Sequence, residues 1–304
     1  MRTRVASRNS PSPASTNRGH VPRFSFLAVL LLLAACRESR TATTTTDDIG
    51  RNVTIPPRVQ RIVTLAPNLT ELVYAIGAGG RLAGTDKFSD YPADAKQVPK
   101  VGDMQPNLER ITALKPDVVL ASTEGNHPNL GPALAAVSIP MYVVRTDRAA
   151  EIPDAMKRLG EILDAPEAAE KAEAIRAALA AQKRTRKRSP RVLFAVWTEP
   201  LYVAGRQTFA GDIIELAGGT NAVTVNGWPQ FSLEALVANP PDLIVYPQKA
   251  VSMEQLMTLR KAAPGLRSAF VGVDDDVFTR PGPRVVQAAT QLNAILDAWE
   301  ARSN

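Results

Sequence analysis

From Arg61 onward, short apolar runs alternate with segments of helical period, and the pattern occurs twice, on either side of one alanine-rich stretch. RIVTLAP, RLAGTD, DVVLAS and PMYVVR have the look of strands, with NLTELVYAIGA, NLERITALK and NLGPALAAVS as the helices between them. Strand, helix, strand in this order implies crossover connections and parallel sheets. Asn68 is placed to cap the first of these helices and Gly77 to stop it. PEAAEKAEAIRAALAAQKRTRKR then interrupts the alternation; free of Gly and of internal Pro, it predicts an unbroken helix from Pro166 to Arg188 that Pro190 ends. Beyond it RVLFAVW, LYVAG and DLIVYP read as strands, TFAGDIIELAGG, SLEALVANP and MEQLMTLRKAA as helices, and a last helix is expected from Pro283 to about Arg302. The chain therefore predicts two α/β lobes joined by one long helix. Right-handed crossovers put the loops at the strand C-termini of each lobe on the edge facing the other.

The two lobes share a sentence. GDMQPNLERITALKPDVVLAS begins at Gly102, and GWPQFSLEALVANPPDLIVYP begins 125 residues later at Gly227. Aligned without a gap, they share Gly, Gln, Leu, Glu, Ala, Pro and Asp. In each copy a polar cap, Asn107 or Ser232, opens a short helix that ends at Pro-Asp before an apolar strand. Each copy also keeps a glutamate two residues after the cap, Glu109 and Glu234. A favourable interaction with the helix dipole explains either glutamate alone but not their shared position.

The N-terminus has a different logic. Residues 1–23 carry five arginines and no acid, then FSFLAVLLLLAA runs up to Cys36, the only cysteine of the chain. This is a charged region followed by an apolar one too short to span a bilayer. Leu33-Ala34-Ala35-Cys36 resembles the bacterial lipobox, which implies cleavage before Cys36 and lipid on its sulfur. Residues 1–35 are thus expected to be a lipoprotein signal peptide. The threonine-rich residues 36–50 are expected to be a polar tether, having little to bury. The expected domains are then a first lobe over 51–165, a connecting helix over 166–189 and a second lobe over 190–304.

Composition narrows function mainly by exclusion. The chain has 36 basic and 30 acidic residues; without the leader arginines 31 stand against 30, which gives no electrostatic case for nucleic acid. The basic run from Lys183 to Arg191 is expected to end the connecting helix, where cations suit the dipole. Of two histidines, His20 lies in the leader and His127 in a loop, so no His-rich metal site is expected. There is no G-x-S-x-G elbow, P-loop or dinucleotide fingerprint. A ligand carrier is favoured over an enzyme working in the same cleft, and turnover of any ligand would distinguish the two.

RIVTLAPNLTELVYAIGAGGRLAG, FSDYPADAKQVPKVGDMQPNLERITALKPDVVLAS, WTEPLYVAGRQTFAGDIIELAGGTNAV, the second copy of the repeat and TRPGPRVVQAATQL stand in one order from about Asp48 to the end. In these segments the chain resembles the substrate-binding proteins of ABC importers for cobalamin and iron-siderophores, cobalamin binders most of all. The resemblance implies the helical-backbone periplasmic binding protein fold: two Rossmann-like lobes, a rigid connecting helix and a ligand held between the lobes. It implies no cofactor, with cobalamin as transported ligand; the alternative ligands are a ferric siderophore and, less favoured, haem. It implies as partner a membrane permease dimer with its ATPase subunits. Carried over residue by residue, it implies aromatic contacts to the ligand from Tyr91, Tyr202 and Trp228 and polar contacts from Asp276 and Arg280. Arg284 is expected instead to start the last helix. Asp103, also carried over as a ligand-binding position, stands where cobalamin binders present a tryptophan; an acid cannot stack on a corrin, so either another group covers that face or the ligand differs. Glu109 and Glu234 are implied to meet arginines on the two permease subunits.

Overall fold

The computed structural model describes residues 41–303 apart from Met104, Glu124 and residues 126–128; the leader, Cys36 and His127 lie outside the described residues. Residues 62–64, 82–85, 118–122 and 141–144 form β3 (Ile62–Thr64), β4 (Leu82–Thr85), β5 (Val118–Ser122) and β6 (Met141–Val144). They make a parallel sheet in the order β4-β3-β5-β6, with Ile62 opposite both Leu82 and Val118, and Val119 opposite Met141. Every residue of β5 and β6 is buried, as near-continuous apolar runs covered on both faces must be. The intervening helices are α1 (Pro67–Ala75), α2 (Leu108–Ala113) and α3 (Leu130–Ala136).

The second lobe repeats the scheme. Its sheet runs β11 (Ala269–Val273), β10 (Leu243–Pro247), β7 (Arg191–Thr198), β8 (Leu201–Val203), with β9 (Thr220–Asn221) also on β7. β11, absent from the expected strands, pairs in parallel with β10 along its whole length. Its helices are α6 (Phe209–Leu216), α7 (Leu233–Ala238), α8 (Met253–Ala262), α9 (Asp275–Phe278) and α10 (Val285–Ser303). Between the lobes stand α4 (Glu151–Ile162) and α5 (Ala168–Ala180).

Three expectations are corrected. First, part of the expected tether over 36–50 is folded: β1 (Thr43–Thr46) pairs antiparallel with β2 (Asn52–Ile55). Threonine is β-branched and favours strands, and the hairpin finds partners on the first lobe. The Tyr142 hydroxyl donates to the Thr46 carbonyl, and the backbone N–H of Arg145 donates to Asp48 Oδ2. Second, the connecting helix ends at Ala180 rather than near Arg188. Tertiary contacts win over propensity there. Arg184 N donates to the Leu216 carbonyl, and the almost fully buried Arg186 guanidinium reaches the Ala217 carbonyl at 2.7 Å and Asp297 at 2.7 Å. The basic run is thus partly a clamp onto α10 rather than a helix end. Third, Asn68 is not the cap of α1; Ala66 holds that position with Pro67 in the first turn. Gly77, with φ of 85°, does follow the helix in the left-handed conformation that ends it.

The largest apolar core runs through both lobes, joining Ile62, Leu72 and Leu159 to Phe194, Ile213, Val245 and Leu292. Two smaller cores lie one within each lobe, around Ile111 and Leu134 and around Leu236 and Ile244. Among the described residues no helix is long and apolar enough to cross a membrane.

Candidate ligand-binding cleft

A cavity of about 480 Å³ opens between the lobes, at the C-terminal edges of the strands. The first lobe lines it from Leu65 and Ala66 after β3, Pro67 and Asn68 at the start of α1, the loop after β4 (Asp86, Phe88), Asp103 of the repeat, Ser122 at the end of β5 and Gly125 beyond it. From the second lobe it receives Asp276, Thr279, Arg280 and Pro281, which follow β11. This is the position parallel α/β sheets give their ligands, because crossovers leave the carboxyl ends of the strands open.

Asp103, Asp276 and Arg280 are therefore brought together in one cavity. Asp276 Oδ1 meets Arg280 at 3.0 Å, and its Oδ2 meets Lys249 at 2.6 Å. Burial by itself would raise the Asp276 carboxyl; Lys249 and Arg280 outweigh it and hold the group below the usual aspartate value. Arg280 also crosses to the first lobe, meeting Asp90 at 2.6 Å and Glu71 at 3.6 Å. Asp86 is buried, accepts from the Ser89 hydroxyl and from the backbone N–H of Phe88, and is pushed up by its burial.

The three aromatic candidates lie outside this lining. Tyr91 is exposed, and its ring lies 4.3 Å under the guanidinium of Arg284. Tyr202 on β8 and Trp228 are each 38% exposed and sit on adjoining segments, since Tyr202 bridges Gln230 and Val203 N donates to the Pro229 carbonyl. Trp197, which the sequence reading left unassigned, pairs with Tyr202 across the β7–β8 hairpin and is 44% exposed. Directly opposed residues of an antiparallel pair share a face, so the strand spacing around TEP was the signal for Trp197. These aromatics occupy the C-terminal end of β7, on the sheet edge that also carries Asp276 and Arg280.

A second group missed in the sequence ties the lobes together. Glu71, on α1, is buried and pairs with Arg284 through two contacts of 2.8 and 2.5 Å. Burial pushes its carboxyl above the usual glutamate value, against the lowering pull of Arg284 and Arg280. Asn68 donates to Thr146 and to the Pro281 carbonyl of the other lobe, and Arg148 meets Asp212 at 2.6 Å. Arg284 does precede the last helix, as expected, but its side chain is a bolt between the lobes.

Glu109 and Glu234 are exposed in the first turns of α2 and α7, and neither forms an ion pair among the described residues. Asn107 and Ser232 cap these helices as expected, accepting from Arg110 N and Ala235 N. Gly102 and Gly227 open both copies with positive φ, 137° and 76°. Among the described residues no cluster of His, Cys, Asp and Glu is arranged to hold a metal ion.

The family model described as periplasmic binding protein matches residues 62–261, from β3 of the first lobe through most of α8 in the second. The chain belongs to this periplasmic binding protein family. Its members are solute-binding proteins and not enzymes. This periplasmic binding protein is 34% identical over 256 residues to a vitamin B12-binding protein of Pectobacterium carotovorum subsp. carotovorum (strain PC1), across 81% of this chain and 91% of that one. A vitamin B12-binding protein of Photorhabdus laumondii subsp. laumondii is 34% identical over 239 residues, across 76% and 86% of the two chains. Among solved structures, the periplasmic vitamin B12 binding protein BtuF of Vibrio cholerae superposes with a TM-score of 0.65 at 26% identity, covering 79% of this chain and 97% of that one. The periplasmic haem-binding protein RhuT from Roseiflexus sp. RS-1 gives 0.70 at 25% identity, covering 78% and 97%. The expected fold class, two α/β lobes of the periplasmic binding protein type, is that of these neighbours.

Proposed function

We propose that this periplasmic binding protein captures cobalamin or a related corrinoid between its lobes and delivers it to an ABC permease dimer with its ATPase subunits. The observation that carries the reading is the exposed aromatic set, Trp197, Tyr202 and Trp228, which lies outside the lining of the cavity of about 480 Å³ but on the sheet edge from which Asp276 and Arg280 enter it. Flat apolar faces beside a few polar groups suit a large amphipathic macrocycle. The relatives named as vitamin B12-binding proteins support the same ligand. Tyr91, Asp103, Asp276 and Arg280 complete the proposed contact set. Glu109 and Glu234 are the proposed docking points for the two permease subunits. Cys36 is the proposed lipid attachment, which makes the protein an exported, membrane-anchored carrier.

Haem is the second reading, because a haem-binding protein is among the superposing structures. One titration separates the two. Cyanocobalamin should bind with one-to-one stoichiometry and shift the tryptophan fluorescence, since two of the four proposed aromatic contacts are tryptophans. Haem saturation without any cobalamin response would overturn the corrinoid reading.

A further inference from the structure

The charges that line the cavity are unequally satisfied. Arg280 is its one described cation, and three carboxylates already engage it: Asp90 at 2.6 Å, Asp276 at 3.0 Å and Glu71 at 3.6 Å. Its positive charge is already more than matched, so an anionic ligand that approached this guanidinium would meet these carboxylates as well. Asp276 spends both oxygens on Arg280 and Lys249. Asp86 is buried and spends both on Phe88 N and the Ser89 hydroxyl.

Asp103 differs from all of them. It is exposed at the cavity wall and accepts one hydrogen bond, from Gln105 N to its Oδ1 at 3.2 Å. Among the described residues it has no counter-ion. Its place is set by the positive-φ turn at Gly102, where a Cβ would come within 2.8 Å of the Gln105 carbonyl. At the equivalent position of the second copy, Gly227 also has a positive φ, and the residue after it is Trp228. The two lobes therefore offer unlike groups from like positions: an aromatic face from one and an open carboxylate from the other.

We infer that Asp103 selects the ligand by charge: the cleft takes a ligand whose rim presents N–H donors, as primary amides or an ammonium group, and rejects one whose rim carries carboxylates. This rests on the inter-lobe cleft being the ligand site, as proposed above. A carboxylate on the ligand rim would face a like charge at Asp103 with no free cation to offset it. A primary amide would donate to the open oxygen of Asp103. Lys87 is exposed on the loop after β4 but does not line the cavity.

The test compares cyanocobalamin with a monocarboxylate derivative in which one ring amide is hydrolysed, by calorimetry on the full chain in detergent. Juxtaposed like charges cost enough that the amide parent should bind at least about tenfold more tightly. Asp103→Asn keeps the shape and should bring the two affinities close together. If that variant fails to fold, the wild-type ratio is measured against salt, and it should narrow as ionic strength rises. A wild-type ratio near one, or a ratio unchanged both by Asp103→Asn and by salt, overturns the inference. A cationic ferric trihydroxamate and a polyanionic ferric tricatecholate separate this inference from the corrinoid reading. If cyanocobalamin fails to bind but the cationic complex binds and the polyanionic one does not, the corrinoid reading falls and charge selection stands. Binding of the tricatecholate, or of no ligand in the panel, overturns charge selection.

Discussion

Arg284 and Glu71 show how much one buried pair can be asked to do. The Glu71 side chain is 1% exposed and that of Arg284 11%, so each is the chief compensation for the other's lost hydration. A buried pair gains little over an apolar one, but removal of one partner strands a charge at a cost of about 3–5 kcal/mol. Arg284→Ala should lower the urea midpoint strongly at neutral pH. The pH dependence has a definite sign. Burial raises the folded-state value of Glu71 above its unfolded value, so between the two the folded protein binds more protons and stability falls as pH rises. Arg284→Ala removes the main opposing pull and widens that window. Its deficit against the wild type should therefore shrink as pH is lowered from neutral toward the ordinary glutamate value. A deficit of the same size at both pH values would refute this account of Glu71.

At the level of elements, periodicity and capping chemistry were legible in the sequence, and contacts between distant segments were not. β3, β5, β6, β7 and β10 announce themselves as apolar runs, and Asn107 and Ser232 cap their helices through local hydrogen bonds. The alanine-rich helix was overestimated because propensity says nothing of Arg186, whose partners Ala217 and Asp297 lie 31 and 111 residues away. β11 was missed because AFVGV alternates poorly and earns its place only by pairing with β10. In the cleft, Asp103, Asp276 and Arg280 were found by resemblance, while Glu71 and Arg284 needed the lobes to be assembled. The matched helices α2 and α7 carry a prediction of their own. Glu109 and Glu234 are exposed at equivalent turns of the two copies and outside the cavity lining. The double variant Glu109→Ala with Glu234→Ala should keep wild-type affinity for cyanocobalamin in calorimetry and lose uptake of the labelled ligand by cells. Normal uptake by the double variant would remove the docking role from both.

The whole molecule is built so that its lobes resist separation. The described residues form one compact unit, and its largest core runs through both lobes rather than stopping at the cleft. Phe194, Ile213 and Leu292 belong to the same apolar body as Ile62, Leu72 and Leu159. Each such side chain brought into water costs about 1.5–3 kcal/mol, so a hinge that opened this body would forfeit several of them at once. Glu71 with Arg284, Asn68 with Pro281, Arg148 with Asp212 and Arg280 with Asp90 add polar ties on the same boundary. A ligand of ordinary affinity has little free energy to spare for breaking and remaking this set. The cleft is therefore expected to stand near its working width before ligand arrives, and binding should not close the lobes. Small-angle scattering of the protein with and without saturating cyanocobalamin should give the same radius of gyration within error. The variant Glu71→Gln with Asp212→Ala, which takes the charge from one tie and removes another, should remain as compact, because the shared core and not the ties carries most of the cost. A ligand-induced contraction of the wild-type protein would show that the apolar body opens, and would refute the assignment of rigidity to it.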